Sequence, residues 1–192
     1  MLNIRFWVLV GITLVVAGSR LLPHPPNVSP VAALALFAGA CFTSKRAAFA
    51  VPLVAMLLSD LVILLGLTET RYYFMLMPFV YGSFVLATCL GLWIGARRPV
   101  LRIATATLGS SVLFFVVTNF GAWLAFYPLT WDGLVQCFVL ALPFFRNSLA
   151  GDAFFSLLFF GGFALAEYYI AALRVHPGPA SNLGEPQPFS GQ

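Results

Sequence analysis

Apolar stretches broken by short polar or proline-rich segments recur from one end of the chain to the other. The first runs from Ile4 to Leu22 and stops at Pro23-His24-Pro25-Pro26, a run whose three prolines lack amide hydrogens and that cannot continue a helix. Pro30 to Phe42 follows and is closed by Lys45-Arg46; then come Ala47 to Leu67, Phe74 to Ala96 closed by Arg97-Arg98-Pro99, and Leu101 to Phe126. A polar turn from Tyr127 to Gly133 leads into Leu134 to Phe145, roughly half of what a crossing needs. Arg146-Asn147 separates it from the last stretch, Ser148 to Leu173.

A helix needs about 20 apolar residues to cross a bilayer, and only helices or closed barrels satisfy their backbone there. The pattern therefore predicts an all-α integral membrane protein: a six-transmembrane-helix bundle with a short or re-entrant helix before the last span. Pro30 to Phe42 is short for a crossing unless it tilts, and its Ala32, Ala35, Ala38, Gly39 and Ala40 offer a small-residue surface for close helix contact. Arg5, the apolar core Phe6 to Val16 and Ala17-Gly18-Ser19 also fit a cleaved signal peptide. An uncleaved first span is simpler, because everything downstream is equally apolar. Residues 1–175 read as one transmembrane domain, and the Pro-, Gly-, Ser- and Gln-rich residues 176–192 as a disordered cytoplasmic tail.

Composition sharpens this picture. Hydrophobic residues make up 61% and charged residues 8% of the 192 positions, against about 45–50% and about 25% in soluble domains. That excludes an ordinary soluble fold and leaves no room for a soluble catalytic domain. The net charge of +4 does not point to nucleic acid, because the basic residues are dispersed between spans. Six spans place Arg5, Lys45, Arg46, Arg97, Arg98, Arg102 and Arg174 on one side and Arg20, Arg71 and Arg146 on the other. The richer side is cytoplasmic by the positive-inside rule, so both termini are expected inside.

In that orientation the costly polar residues gather towards the outer side. Asp60 falls in the outer half of its span, Asn119, Trp123 and Tyr127 share one helical face, and Ser148, Asp152 and Ser156 share another. The outer loops add His24, Asn27, Arg71, Tyr72, Tyr73, Arg146 and Asn147. A carboxylate in the membrane demands a partner or a wet cavity, and Asp60 and Asp152 have Arg146 or Arg71 as candidates. Two readings stand for each such group: a lock between helices, or a contact to a ligand. Trp123, Tyr127 and Trp131 likewise fit an interfacial belt, Glu167 reads as a snorkelling or capping residue, and Cys137 as a small apolar thiol. There is no Walker A sequence, no His-Glu-x-x-His, no Gly-x-Ser-x-Gly, and no cysteine or histidine spacing suited to zinc. No catalytic residue, metal or cofactor is therefore expected.

Several segments together resemble a family of small bacterial membrane proteins of uncharacterised function that are candidate transporters. They are Pro25 through Ala40, the Ser59-Asp60 pair, Thr118-Asn119-Phe120-Gly121-Ala122-Trp123, Tyr127 through Leu134, and Ala141-Leu142-Pro143-Phe144-Phe145-Arg146-Asn147 through Gly151-Asp152. That family in turn looks like the substrate-binding S component of energy-coupling factor vitamin transporters. The resemblance implies six helices, residence in the inner membrane and a vitamin site near the outer face. It also implies a transmembrane coupling protein with ATPases as partner, docked on small residues of the first helix. Here the first span has Gly11, Ala17 and Gly18 but no Ala-x-x-x-Ala, while Ala35-x-x-x-Gly39 lies in the second.

The residues and the resemblance converge on an S-component-like uptake subunit that binds a small, vitamin-like nutrient, with Asn27, Asp60, Asn119, Trp123, Arg146, Asn147 and Asp152 lining an outer pocket. The rival is a structural or assembly subunit of a membrane complex, in which those groups only hold a bundle together. An intramembrane enzyme acting on a lipid-linked substrate is a third class, for which no spacing of nucleophile and base speaks.

Overall fold

The computed structural model describes residues 4–21, 29–66 and 70–174, and these are helical with short connections and no strand. We number the helices α1 (Ile4–Ser19), α2 (Val31–Cys41), α3 (Lys45–Gly66), α4 (Thr70–Ile94), α5 (Val100–Phe126) and α6 (Trp131–Tyr169). Four stretches among the described residues have the length and apolarity to cross a membrane: α3, Phe74–Ile94 of α4, α5 and α6. With 16 and 11 residues, α1 and α2 are shorter. Four helices of crossing length thus stand where the pattern of apolar stretches predicts six spans. The tail expected over 176–192 lies outside the described residues.

One expectation is overturned. The half-helix Leu134 to Phe145 and the last span are a single helix, α6, 39 residues long. Thr130 starts it by accepting a hydrogen bond from the Gly133 amide at 3.2 Å. The helix then runs through Pro143 and through Arg146-Asn147, whose side chains are exposed. Neither arginine nor asparagine breaks a helix when its side chain points outward, and Pro143 removes one amide donor without stopping the chain. A π-helical turn at Leu157–Gly161 absorbs an irregularity further along.

Every residue of α2 is buried, as expected of a helix that is apolar all round. Its closest neighbour is α4, and the approach is backbone to backbone. A Cβ built on Gly39 would stand 2.3 Å from the Thr88 carbonyl oxygen, and one on Gly91 2.3 Å from that of Leu36. Only glycine permits this distance, so Ala35-x-x-x-Gly39 faces α4 inside the molecule. Phe37, on the same helix, meets the rings of Phe159, Phe160 and Phe163 of α6 at 5.4–5.8 Å.

The two ends of the described chain lie on one face of the bundle. Arg5, at the start of α1, is 3% exposed and reaches three partners: Glu167 on α6, the Leu173 carbonyl, and the Cys41 carbonyl at the end of α2. Arg98 takes the other oxygen of Glu167. It sits in the α4–α5 connection with a left-handed φ of 46°, a conformation that costs a non-glycine residue energy. Both guanidinium groups also lie over the Phe163 ring, at 5.0 and 5.6 Å. Glu167, read from sequence as a capping residue, is thus the centre of a cluster joining α1, α2, the α4–α5 connection and α6.

Gly39→Ala and Gly91→Ala should each destabilise the bundle by about 2 kcal/mol or more, since the backbones must separate to admit the methyl group. Gly11→Ala, with nothing within 4 Å of the added carbon, should be neutral or slightly stabilising. Unfolding by sodium dodecyl sulfate titration in mixed micelles separates the two classes.

Candidate functional site

The half of the bundle away from the Arg5–Glu167 cluster is not filled. An internal cavity of about 490 Å³ opens there. On α2, an 11-residue helix that rises only about 16 Å, the first residues, Val31 and Ala32, form part of the cavity wall. The remaining wall comes from Met56 and Ile63 of α3, Leu76 and Val80 of α4, and the facing sides of α5 and α6. Arg20 and Ser29, on the chain segments that flank the α1–α2 connection, also line the cavity.

The α5–α6 wall carries the polar chemistry. On α5, Ser111, Thr118 and Asn119 face the cavity with Phe114 and Phe115; on α6, Ser148 and Asp152 face it with Phe144 and Phe145. Both sets follow helical spacing, so that each helix presents one mixed stripe. Ser111 donates to Asp152 Oδ2 at 2.7 Å, and one turn deeper Thr107 donates to Ser156 at 3.0 Å. Asp152 is 6% exposed. Among the described residues, no basic side chain lies within ion-pair distance of it.

Asp60 is differently placed. It is 1% exposed, its Oδ1 pairs with Arg20 at 2.5 Å, and Tyr81 donates to its Oδ2 at 2.6 Å. Arg20 also donates to Ser59 and the Met56 carbonyl. This network ties the end of α1 to α3 and α4 at the cavity edge. The sequence pointed to Arg146 or Arg71 as the partner of Asp60; the structure supplies Arg20, and the Arg71 side chain lies outside the described residues.

Of the other residues singled out from sequence, Asn119 joins Asp152 on the cavity wall. Trp123 is not part of that wall: its indole Nε1 donates to the Pro128 carbonyl at 3.0 Å and secures the α5–α6 turn. Arg146 and Asn147 are exposed on α6 and also lie off the wall. Asn27 and His24 lie outside the described residues. Cys137 donates its thiol to the Asn119 carbonyl at 3.4 Å, packing α6 against α5. Ser111 and the four phenylalanines escaped the sequence reading. The signal that could have found them is the stripe Thr107, Ser111, Phe115, Thr118 on α5, which mirrors Ser148, Asp152, Ser156 on α6.

Chemically, the described wall offers one carboxylate, the Arg20 guanidinium, hydroxyls, one amide and aromatic rings. Among the described residues, His, Cys, Asp and Glu side chains do not gather in the threes that hold a metal ion. Rings with a few convergent polar groups are the composition that small-molecule sites use.

The chain belongs to the family of unknown function DUF6580, which it matches over residues 1–173. No curated protein and no solved structure matches it.

Arg20→Ala should cost about 3 kcal/mol of stability, because the buried Asp60 carboxylate loses its ion pair. Arg20→Met combined with Asp60→Leu should recover much of that loss, since the burial penalty disappears with the charge. Denaturant titration of the single and double variants measures the difference.

Proposed function

We propose that this protein is a membrane transport subunit that binds a small nutrient, vitamin-like in size, in the cavity between α2 and the α5–α6 pair. The observation that carries the reading is the cavity itself. Its volume of about 490 Å³ lies within the roughly 300–1,000 Å³ of small-molecule sites, and its mixture of rings with a few convergent polar groups is what such sites use. In this reading Asn119 and Asp152 fix the polar groups of the nutrient, and Phe114, Phe115, Phe144 and Phe145 cover its flat face.

An S-component-like role supplies the energy source that this chain lacks, through a coupling protein and its ATPases. The docking surface in that case is α1, whose exposed Gly11 and Gly18 leave open space beside them, because Gly39 is occupied by α4. We place the protein in the inner membrane with both termini in the cytoplasm. The reading rests on the face where Arg5, Glu167 and Arg98 meet, which also carries Arg97 and Arg102 nearby in the chain. Alkaline phosphatase fused after Thr130 should then be active in a bacterial periplasm, and fused after Arg174 inactive.

Mass spectrometry of small molecules released from gently purified protein tests the function. The expected result is a compound retained by the wild type and lost from an Asn119→Ala, Asp152→Ala double variant. A cavity that is empty in a protein copurifying stoichiometrically with another membrane protein would instead favour a structural or assembly subunit.

A further inference from the structure

The carboxylates buried in the bundle fall into two kinds. Asp60 and Glu167 each meet an arginine at 2.5 Å. Asp152, 6% exposed, meets among the described residues only the Ser111 hydroxyl, on one of its two oxygens. Arg20, the other ionisable group on the cavity wall, is engaged by Asp60. The cavity is therefore left with one carboxylate that nothing in the described protein neutralises, at a depth where an unbalanced charge is costly.

The hydrogen-bond donors of the wall tell the same story. Thr118 gives its hydroxyl hydrogen to the Phe114 carbonyl at 2.7 Å, and Ser148 points its own to that of Phe144 at 3.4 Å. Asn119 commits an amide hydrogen to the Phe115 carbonyl at 2.7 Å, and the single Ser111 hydrogen is shared between Asp152 at 2.7 Å and the Thr107 carbonyl at 3.0 Å. Each of these side chains turns a donor inward to its own helix or to its neighbour, and so presents oxygen lone pairs to the cavity. On the α5–α6 side of the cavity, acceptors around a carboxylate are matched by a ligand rich in N–H and positively charged.

We propose that the cavity is specific for a small organic cation, an alkylammonium, amidinium or protonated nitrogen heterocycle. Its N–H groups are received by the free oxygen of Asp152 and the side-chain oxygen of Asn119, and its flat apolar part rests on the phenylalanine pairs of α5 and α6, which also favour a cation over their faces. This inference rests on the reading of the cavity as a small-molecule site and narrows it to one charge class.

The test uses the full-length protein in lipid nanodiscs and three matched probes: benzylammonium, benzyl alcohol and phenylacetate, with sodium and potassium chloride as inorganic controls. The concentration dependence of the melting temperature yields an apparent Kd for each. Benzylammonium should stabilise the wild type most, and Asp152→Asn should weaken it by about ten-fold or more, the scale of a lost charged hydrogen bond. Asn119→Leu, which leaves the Ser111–Asp152 pair in place, should weaken it by roughly three-fold or more and serves if Asp152→Asn does not fold. Equal or stronger stabilisation by benzyl alcohol or phenylacetate, unchanged in the variants, overturns the charge specificity and leaves a small-molecule cavity standing. Stabilisation by the inorganic salts alone overturns it too, and no effect of any probe on the wild type overturns both the specificity and the cavity reading.

Discussion

The backbone contact between α2 and α4 at Gly39 and Gly91 is the constraint on which the rest of the molecule hangs. It holds an 11-residue helix inside the bundle, every residue of it buried. Two consequences follow from that position. At one end, the last carbonyl of α2 is presented to Arg5, which brings α1, α6 and Arg98 to the same point. At the other end, Val31 and Ala32, the first residues of α2, form part of the cavity wall.

Hydrocarbon surroundings make each polar side chain in such a bundle either a fastening or a site. The two kinds are separable here by partner. Arg20, Asp60 and Tyr81 fasten three helices at the cavity edge, and Arg5, Glu167, Arg98 and Phe163 fasten the opposite face. Between them, the hydroxyl pairs Ser111–Asp152 and Thr107–Ser156 align α5 with α6. Of these, only the Ser111–Asp152 pair faces open volume.

The helical, membrane-embedded class was legible in the spacing of apolar stretches, as was the stripe Ser148, Asp152, Ser156, because both are local periodicities. What was not legible depends on contacts between distant segments. Nothing in the neighbourhood of Asp60 marks Arg20 as its partner, since the pairing is made by how α1 and α3 lean together. The continuity of α6 was hidden by Pro143 and Arg146-Asn147, which read as punctuation in one dimension but project outward on a helix. The same holds for Trp123, whose place in a face shared with Asn119 is less decisive than the carbonyl of Pro128 within its reach. Ala35-x-x-x-Gly39 was correctly visible as a close-contact motif; its partner, α4, was not.

The exposed Arg146 on α6 bears on how deep the protein sits. From Arg146 to Tyr169 the helix rises about 35 Å, close to the roughly 30 Å thickness of a bilayer's oily core. An arginine side chain on a lipid-facing surface is tolerated where it reaches the phosphate headgroups and is expensive in the middle. Seated that way, the first turns of α6 rise above the oily layer, with Trp131 about 22 Å beyond Arg146 along the helix. The cavity, whose wall includes Ser148 two residues on from Arg146, then stands close to the water boundary.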